Sequence, residues 1–217
     1  MEATAIHEFL KERFGDDVLE YVDSHEKGAQ VAPARVAEIA QTLRDEETLD
    51  FNLLMCLTGV DWDGYDEAAK GKSVAILGYD ELGQPETSDR VGEGDLGVAY
   101  ALYSHRHGHK FALFVRVPRN APDVPTVSGV WPTGAWHERE AYDLVGVNFT
   151  GHPDLRRILL EDSWEGHPLR KDYQMPGAWE GVRLTGEEFA DSKWGEDVVV
   201  IPPADHKWTG PTTEDKS

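Results

Sequence analysis

Hydrophobic positions along the chain change their period several times, and each change marks an element. Residues 3–14 set Ile6, Phe9, Leu10 and Phe14 at helical spacing, and Gly15 stops the run. Residues 18–22 alternate like a strand, and residues 31–33 read as a short extended piece. Pro33 stands where a helix starts. Val36, Ile39, Ala40 and Leu43 then repeat at i, i+3, i+4 and i+7, which predicts a helix ending near Arg44 and Asp45. Residues 49–62 form an apolar run read as a strand, with Cys56 inside it as a small core hydrophobe. Residues 74–79 read as another strand, and residues 80–96 read as loop. Two further runs, 97–105 and 110–117, flank Arg106-His107-Gly108-His109, so a hairpin is expected, with Gly108 free to take a positive φ.

Downstream the pattern is set by proline. Pro118, Pro122, Pro125 and Pro132 stiffen an extended crossing. Thr133 is then placed to cap a helix. Trp136, Glu140 and Leu144 fall on one stripe, widened by Ala141 and Val145. Arg139 and Asp143 are spaced as i,i+4 partners, and Gly146 suits the helix end. After Phe149 two G-H-P triplets punctuate an irregular stretch. Past Gln174 come Trp179, Trp194, Trp208, Pro202 and Pro203 with little helical period, an arm that packs on something else or wraps its own domain. The expected fold is α+β. N-terminal helices pack on a mixed or antiparallel sheet, followed by a helix and an extended, irregular C-terminal arm. The division is 1–130 (α+β domain), 131–173 (helix and extended segment) and 174–217 (acidic tail).

Charge sharpens this division. The net charge of −20 is unevenly spread. Residues 1–97 carry 8 basic and 23 acidic side chains, residues 98–173 carry 9 and 9, and residues 174–217 carry 4 and 9. Such a chain repels nucleic acid and anionic lipid. The neutral block holds six of the nine histidines and the densest alternation of charge and aromatics, which is the composition of a covered contact rather than a solvated loop. No 18-residue apolar run crosses a bilayer. The acidic N-terminus reads as neither a signal nor a transit peptide. One cysteine excludes an internal disulfide and cannot alone hold an iron–sulfur cluster.

Several candidate sites weigh little on chemical grounds. Residues 92–97 match G-x-G-x-x-G, but a strand-like run follows them where a phosphate loop needs a helix. His105, His107 and His109 form H-x-H-x-H. On one strand they would share a face and suit zinc, but a turn at Gly108 breaks that face. Glu138 and Glu140 project about 200° apart on a helix, so they do not form a carboxylate pair. His152 and His167 read as ring nitrogens bonded to backbone in a rigid loop rather than as ligands. Arg156, Arg157, Arg170 and Lys171 suit carboxylates across a contact.

E-R-E-A-Y-D-L (138–144), G-H-P-D-L-R-R-I-L (151–159) and W-E-G-H-P-L-R-K-D-Y (164–173) together resemble the 30-kDa family, the C subunits of proton-pumping NADH-quinone oxidoreductase. L-Y-S-H-R-H and V-R-V-P extend the resemblance upstream, and C-L-T-G-V-D-W (56–62) matches it more faintly. The resemblance implies a structural subunit with no active site and no cofactor of its own. FMN, iron–sulfur clusters and quinone would lie in other subunits. The implied partners are the quinone-site D subunit and the iron–sulfur B and I subunits, with no nucleic acid and no membrane insertion. The implied place is the cytoplasmic side of a bacterial inner membrane. Interface residues are then expected at Glu138, Arg139, Glu140, Asp143, His152, Asp154, Arg156, Arg157, Trp164, Glu165, His167, Arg170, Lys171, Asp172 and Tyr173. Charge reversal at Arg157 or Arg170 is expected to weaken assembly and leave the domain folded. Two other readings stand beside this one: an equivalent subunit of a related membrane-bound hydrogenase or dehydrogenase, and a soluble metalloenzyme using His105, His107, His109 and His152 or His167.

Overall fold

The computed structural model describes residues 1–62, 94–176 and 178–184. The strand expected at 74–79, the loop at 80–93 and the tail beyond 184 lie outside the described residues. The chain divides into two compact units, Met1–Met175 and Pro176–Ser217.

In the first unit α1 (Ala3–Phe14) buries Ile6, Leu10 and Phe14, and Gly15 ends it at φ +57°. The extended piece begins earlier than periodicity suggests. β1 (Val18–Val22) pairs antiparallel with β2 (Gly28–Val31). Pro33 opens a 3-10 turn leading into α2 (Val36–Asp45), whose Val36, Ile39, Ala40 and Leu43 are wholly buried as their spacing requires. Removing each of the larger three from water contributes about 1.5–3 kcal/mol.

β3 (Leu53–Asp61), β4 (Leu96–Tyr103) and β5 (Lys110–Val117) complete a five-stranded sheet in the order β1-β2-β5-β4-β3, with only β2 and β5 parallel. The hairpin turns at Gly108, φ +66°. Register pairs Val98 with Val115, Tyr100 with Leu113 and Leu102 with Phe111, all buried on one face. Leu54 and Leu57 of β3 join that face opposite Leu102 and Tyr100. The other face carries Ala99, Ala101, Tyr103 and Phe114, which are only half buried.

Cys56 belongs to this second face. A bulge between Leu54 and Cys56 sets the cysteine opposite Ala101, and it is exposed. Its assignment to the core is therefore corrected: the bulge inserts one residue, and the alternation resumes with Leu57, not Cys56, pointing inward. Gly97, from the rejected glycine motif, has a packing role instead. A Cβ there would lie 2.2 Å from the Val115 carbonyl oxygen. A strand follows it, as expected.

β6 (Asp123–Pro125) pairs in parallel with β7 (Asn148–Thr150), and α3 (Gly134–Val145) forms the crossover between them. α3 lies on the buried face at β3. Gly59 permits this, since a Cβ there would stand 2.9 Å from Val145 Cβ and 3.3 Å from Ala141 Cβ. Thus 131–173 folds into the same unit as the sheet. Trp131 Nε1 donates to the Phe51 carbonyl at 2.9 Å and fixes the approach to α3. In the second unit, β8 (Ala178–Trp179) and β9 (Val182–Arg183) form a hairpin through Glu180 and Gly181, both at positive φ. Among the described residues no helix is long and apolar enough to cross a membrane.

Candidate functional site: a helix that wires an irregular arm

α3 inverts the usual amphipathic logic. Its buried residues include Glu138, Arg139 and Asp143, while Trp136 is 63% exposed. The expected stripe of Trp136, Glu140 and Leu144 is not the core face: Ala141 and Val145 reach the sheet, and Trp136 and Glu140 face outward. Thr133 does not cap the helix with its side chain, because its own backbone is already helical (φ −62°, ψ −27°). Gly146 closes the other end at φ +81°, as its position suggests.

Each buried charge has a partner within the chain. Asp143, with no exposed surface, accepts the backbone N–H groups of Ile158 (3.0 Å), Leu159 (2.8 Å) and Leu160 (2.9 Å) and the Arg157 guanidinium (2.7 Å). Burial alone would raise the carboxyl's pKa, but these four donors outweigh it and hold it below the usual value. Arg157 also spans the Trp164 and Gly166 carbonyls, both at 3.0 Å. Arg139 donates to the carbonyls of Arg156 (3.1 Å) and Arg157 (2.9 Å). The expected Arg139–Asp143 pairing is therefore replaced: both side chains turn to the 156–160 segment, whose backbone polar groups have no helix or strand to satisfy them.

The segment after Gly166 then seals the helix end. His167 Nδ1 donates to the Asp143 carbonyl at 2.9 Å, and Leu169 N–H donates to the Leu144 carbonyl at 2.9 Å. Arg170 donates to the carbonyls of Val145 and Gly146. Four consecutive carbonyls at the helix end, Asp143 to Gly146, are thus capped by one segment, with the cation at the negative end of the helix dipole. Burial, aided by Arg170 and Arg157, lowers the His167 pKa, against the pull of its carbonyl bond. Lower down, Lys171 N–H donates to Asp61 Oδ2 at 2.9 Å, while Arg119 bonds both Asp61 and Asp172. Trp164 Nε1 donates to the Tyr173 hydroxyl at 3.0 Å.

On the opposite flank of α3, Glu138 accepts the Thr126 hydroxyl and the Val127 N–H (2.7 Å). Its pKa is raised because burial outweighs those bonds. His152 accepts the Asp154 N–H on Nδ1 (3.0 Å) and donates from Nε2 to the Ala135 carbonyl (3.0 Å). Both G-H-P histidines are therefore bonded to backbone.

The structure gathers Arg139, Asp143, Arg157, Trp164, His167, Arg170, Asp172 and Tyr173 into one internal network. Glu138 and His152 stand apart from it. Glu140, Glu165 and Lys171 keep exposed side chains, and Asp154 and Arg156 form an exposed surface pair at 3.0 Å. Arg157 and Arg170 bind the chain's own arm and helix end, so charge reversal at either would loosen those internal contacts as well as any external one. Asp61 and Arg119 are site residues that motif reading does not single out. Their signal is nonetheless present, since Asp61 lies in C-L-T-G-V-D-W and Arg119 directly follows V-R-V-P. The three histidines of the H-x-H-x-H run have local partners. His105 packs edge-on to Tyr103, His107 Nε2 bonds the Glu47 carbonyl, and His109 is buried against the Leu49 carbonyl rather than exposed in its turn. Among the described residues no three His, Cys, Asp or Glu side chains converge as metal ligands.

A family model described as respiratory-chain NADH dehydrogenase, 30-kDa subunit, matches residues 29–178. The chain is 36% identical over 187 residues to the NADH-quinone oxidoreductase C subunit of Chlorobium phaeobacteroides, covering 84% of this chain and 95% of the relative. It is 37% identical over 186 residues to the C subunit of Salinispora arenicola, covering 86% of this chain but 60% of that relative. The chain thus spans about three fifths of some of the curated relatives it matches. Among solved structures, a chain of the membrane-bound sulfane sulfur reductase, an archaeal respiratory membrane complex, shares the fold at TM-score 0.56 and 18% identity. That match covers 95% of this chain and 98% of the other.

Proposed function

We infer the role of this chain from one premise: it belongs to the respiratory-chain NADH dehydrogenase 30-kDa subunit family. It acts as an assembly subunit of an NADH-quinone oxidoreductase, passing electrons from NADH to quinone in concert with proton translocation. It has no catalytic step of its own. FMN, iron–sulfur clusters and quinone sit in other subunits. Its neighbours are the quinone-site D subunit and the iron–sulfur B and I subunits. It is peripheral, on the cytoplasmic side of a bacterial inner membrane.

One observation supports this reading beyond the premise. Residues 154–172 have no helix or strand of their own, yet they are fixed to α3 by carboxylate, guanidinium and imidazole contacts. Of seven large apolar side chains left exposed among the described residues, four lie between Trp136 and Met175: Trp136, Leu159, Leu169 and Met175. A chain that spends buried charges on holding apolar groups in water has a pre-organised contact surface. Electron transfer between cofactors in separate subunits depends on their spacing. A rigid clamp therefore affects rate without touching substrate.

The test is deletion and restoration of the gene in its own host. NADH-quinone reductase activity of the membranes and the amount of assembled complex should fall together, and both should return with the full chain. Full activity without the chain would refute the role.

A further inference from the structure

Of the charges expected at a contact, Glu140 and Glu165 remain outside, while three of the arginines turn inward. Arg139, Arg157 and Arg170 are consumed by the chain's own carbonyls, with Asp143 also held by Arg157. Arg156 is exposed but bound by Asp154 through both carboxylate oxygens. The exposed carboxylates of α3 and the arm include Glu140, Glu161, Asp162 and Glu165. Three arginines are thus turned inward, Arg156 is matched by Asp154, and Lys171 is exposed beyond the helix end near Asp61, while these four carboxylates face out.

The exposed apolar groups Trp136 and Leu159 belong to the same helix and arm. Trp136, Arg139 and Asp143 lie on one stripe of α3 at i, i+3 and i+7, about 10 Å from end to end. The 156–160 backbone runs along that stripe. Arg139 takes its carbonyls near the Trp136 end, and Asp143 takes its N–H groups near the other. Leu159, 63% exposed, therefore stands at the far end from Trp136. The indole is also held in place, because the Arg139 guanidinium, itself anchored, lies 5.3 Å from the ring centroid. A large aromatic with its rotamer fixed before binding is the usual dominant anchor of an interface.

Resting on the assembly role inferred above, we propose that Trp136 and Leu159, rimmed by Glu140, Glu161, Asp162 and Glu165, dock onto another subunit of the complex. That subunit's surface carries an apolar pocket edged by lysine or arginine. Charge complementarity selects this occupant. A second copy of the chain would bring the same acidic rim. Residues 174–217, with 4 basic and 9 acidic side chains, and residues 63–93, with 3 and 8, are like-charged and poorly matched to it.

The experiment uses the intact complex. Between two protein side chains, carbodiimide couples a carboxylate only to an amine in direct contact, and peptide mass spectrometry locates the links. The four carboxylates should link to lysines of one other subunit. Protection from coupling to added glycine ethyl ester, without a link, would mean an arginine rim and also supports the proposal. Free coupling to that ester in the complex, or links within the chain, would overturn it. In parallel, the Trp136→Ala/Leu159→Ser chain should recover at least about tenfold less of that subunit, while its melting temperature as an isolated chain stays at the wild-type value. Undiminished recovery overturns the docking face. If the wild-type chain recovers no subunit at all, the assembly role fails instead. If it recovers them while the four carboxylates stay reactive, only the docking face fails.

Discussion

Asp143→Asn is nearly isosteric, yet it should release the arm. The wild-type carboxylate is an acceptor only and faces four donors: three backbone N–H groups and Arg157. An amide puts an –NH2 against at least one of them in either orientation and removes the charge opposite a guanidinium that is itself largely shielded. Breaking a buried charge pair from one side costs about 3–5 kcal/mol. The five-stranded sheet does not use this carboxylate, so the cost is met by local opening of 156–160 rather than by the core. At about 1.4 kcal/mol per decade, amide exchange at Ile158, Leu159 and Leu160 should accelerate by roughly two to three and a half orders of magnitude. Amides of β4 and β5 should change little. Hydrogen exchange read by mass spectrometry on the isolated chain resolves the two regions. Exchange at 158–160 within tenfold of wild type would show that Asp143 is not the anchor of the arm.

Glu138 should behave in the opposite way. Its pKa is raised in the fold, so the ionised carboxyl weakens folding as pH rises above the unfolded value near 4.3, and Glu138→Gln removes that cost while still serving Thr126 and Val127. At pH 7.5 urea unfolding should find Glu138→Gln as stable as wild type or more so, and Glu138→Ala about 2–4 kcal/mol less stable. His167 has a lowered pKa, so its contribution is complete above the unfolded value near 6.5 and is lost as pH falls below it. Exchange of the Leu169 and Arg170 amides should therefore accelerate between pH 7 and 5 after correction for intrinsic rates, and His167→Asn, which keeps a donor to the Asp143 carbonyl, should flatten that dependence. Cys56 should react with a thiol reagent in the native chain at the rate of an open thiol; a need for denaturant would contradict its outward register.

The elements with strong periods are legible in sequence. α1, α2 and the β4–β5 hairpin follow from positions such as Ile39, Leu43 and Gly108 because each local pattern agrees with its tertiary setting. Cys56 misleads because a bulge changes face without changing composition. α3 is half legible. Its span and its Gly146 stop are visible, but its hydrophobic stripe points the wrong way, since Trp136 is held out and Glu138, Arg139 and Asp143 are turned in. No period rule anticipates a helix whose buried charges satisfy the backbone of a segment with no secondary structure of its own. The density of charge between 138 and 172 does signal unusual work there. Whether that work is internal or external depends on carbonyl positions that only the folded arm supplies.

The most direct test of the assembly role is to tag the chain at its own locus, purify it from solubilised membranes and identify what accompanies it. Iron–sulfur and quinone-site subunits should be recovered with it, together with NADH-quinone reductase activity. Recovery of the chain alone, folded and free of every other subunit, would contradict that role.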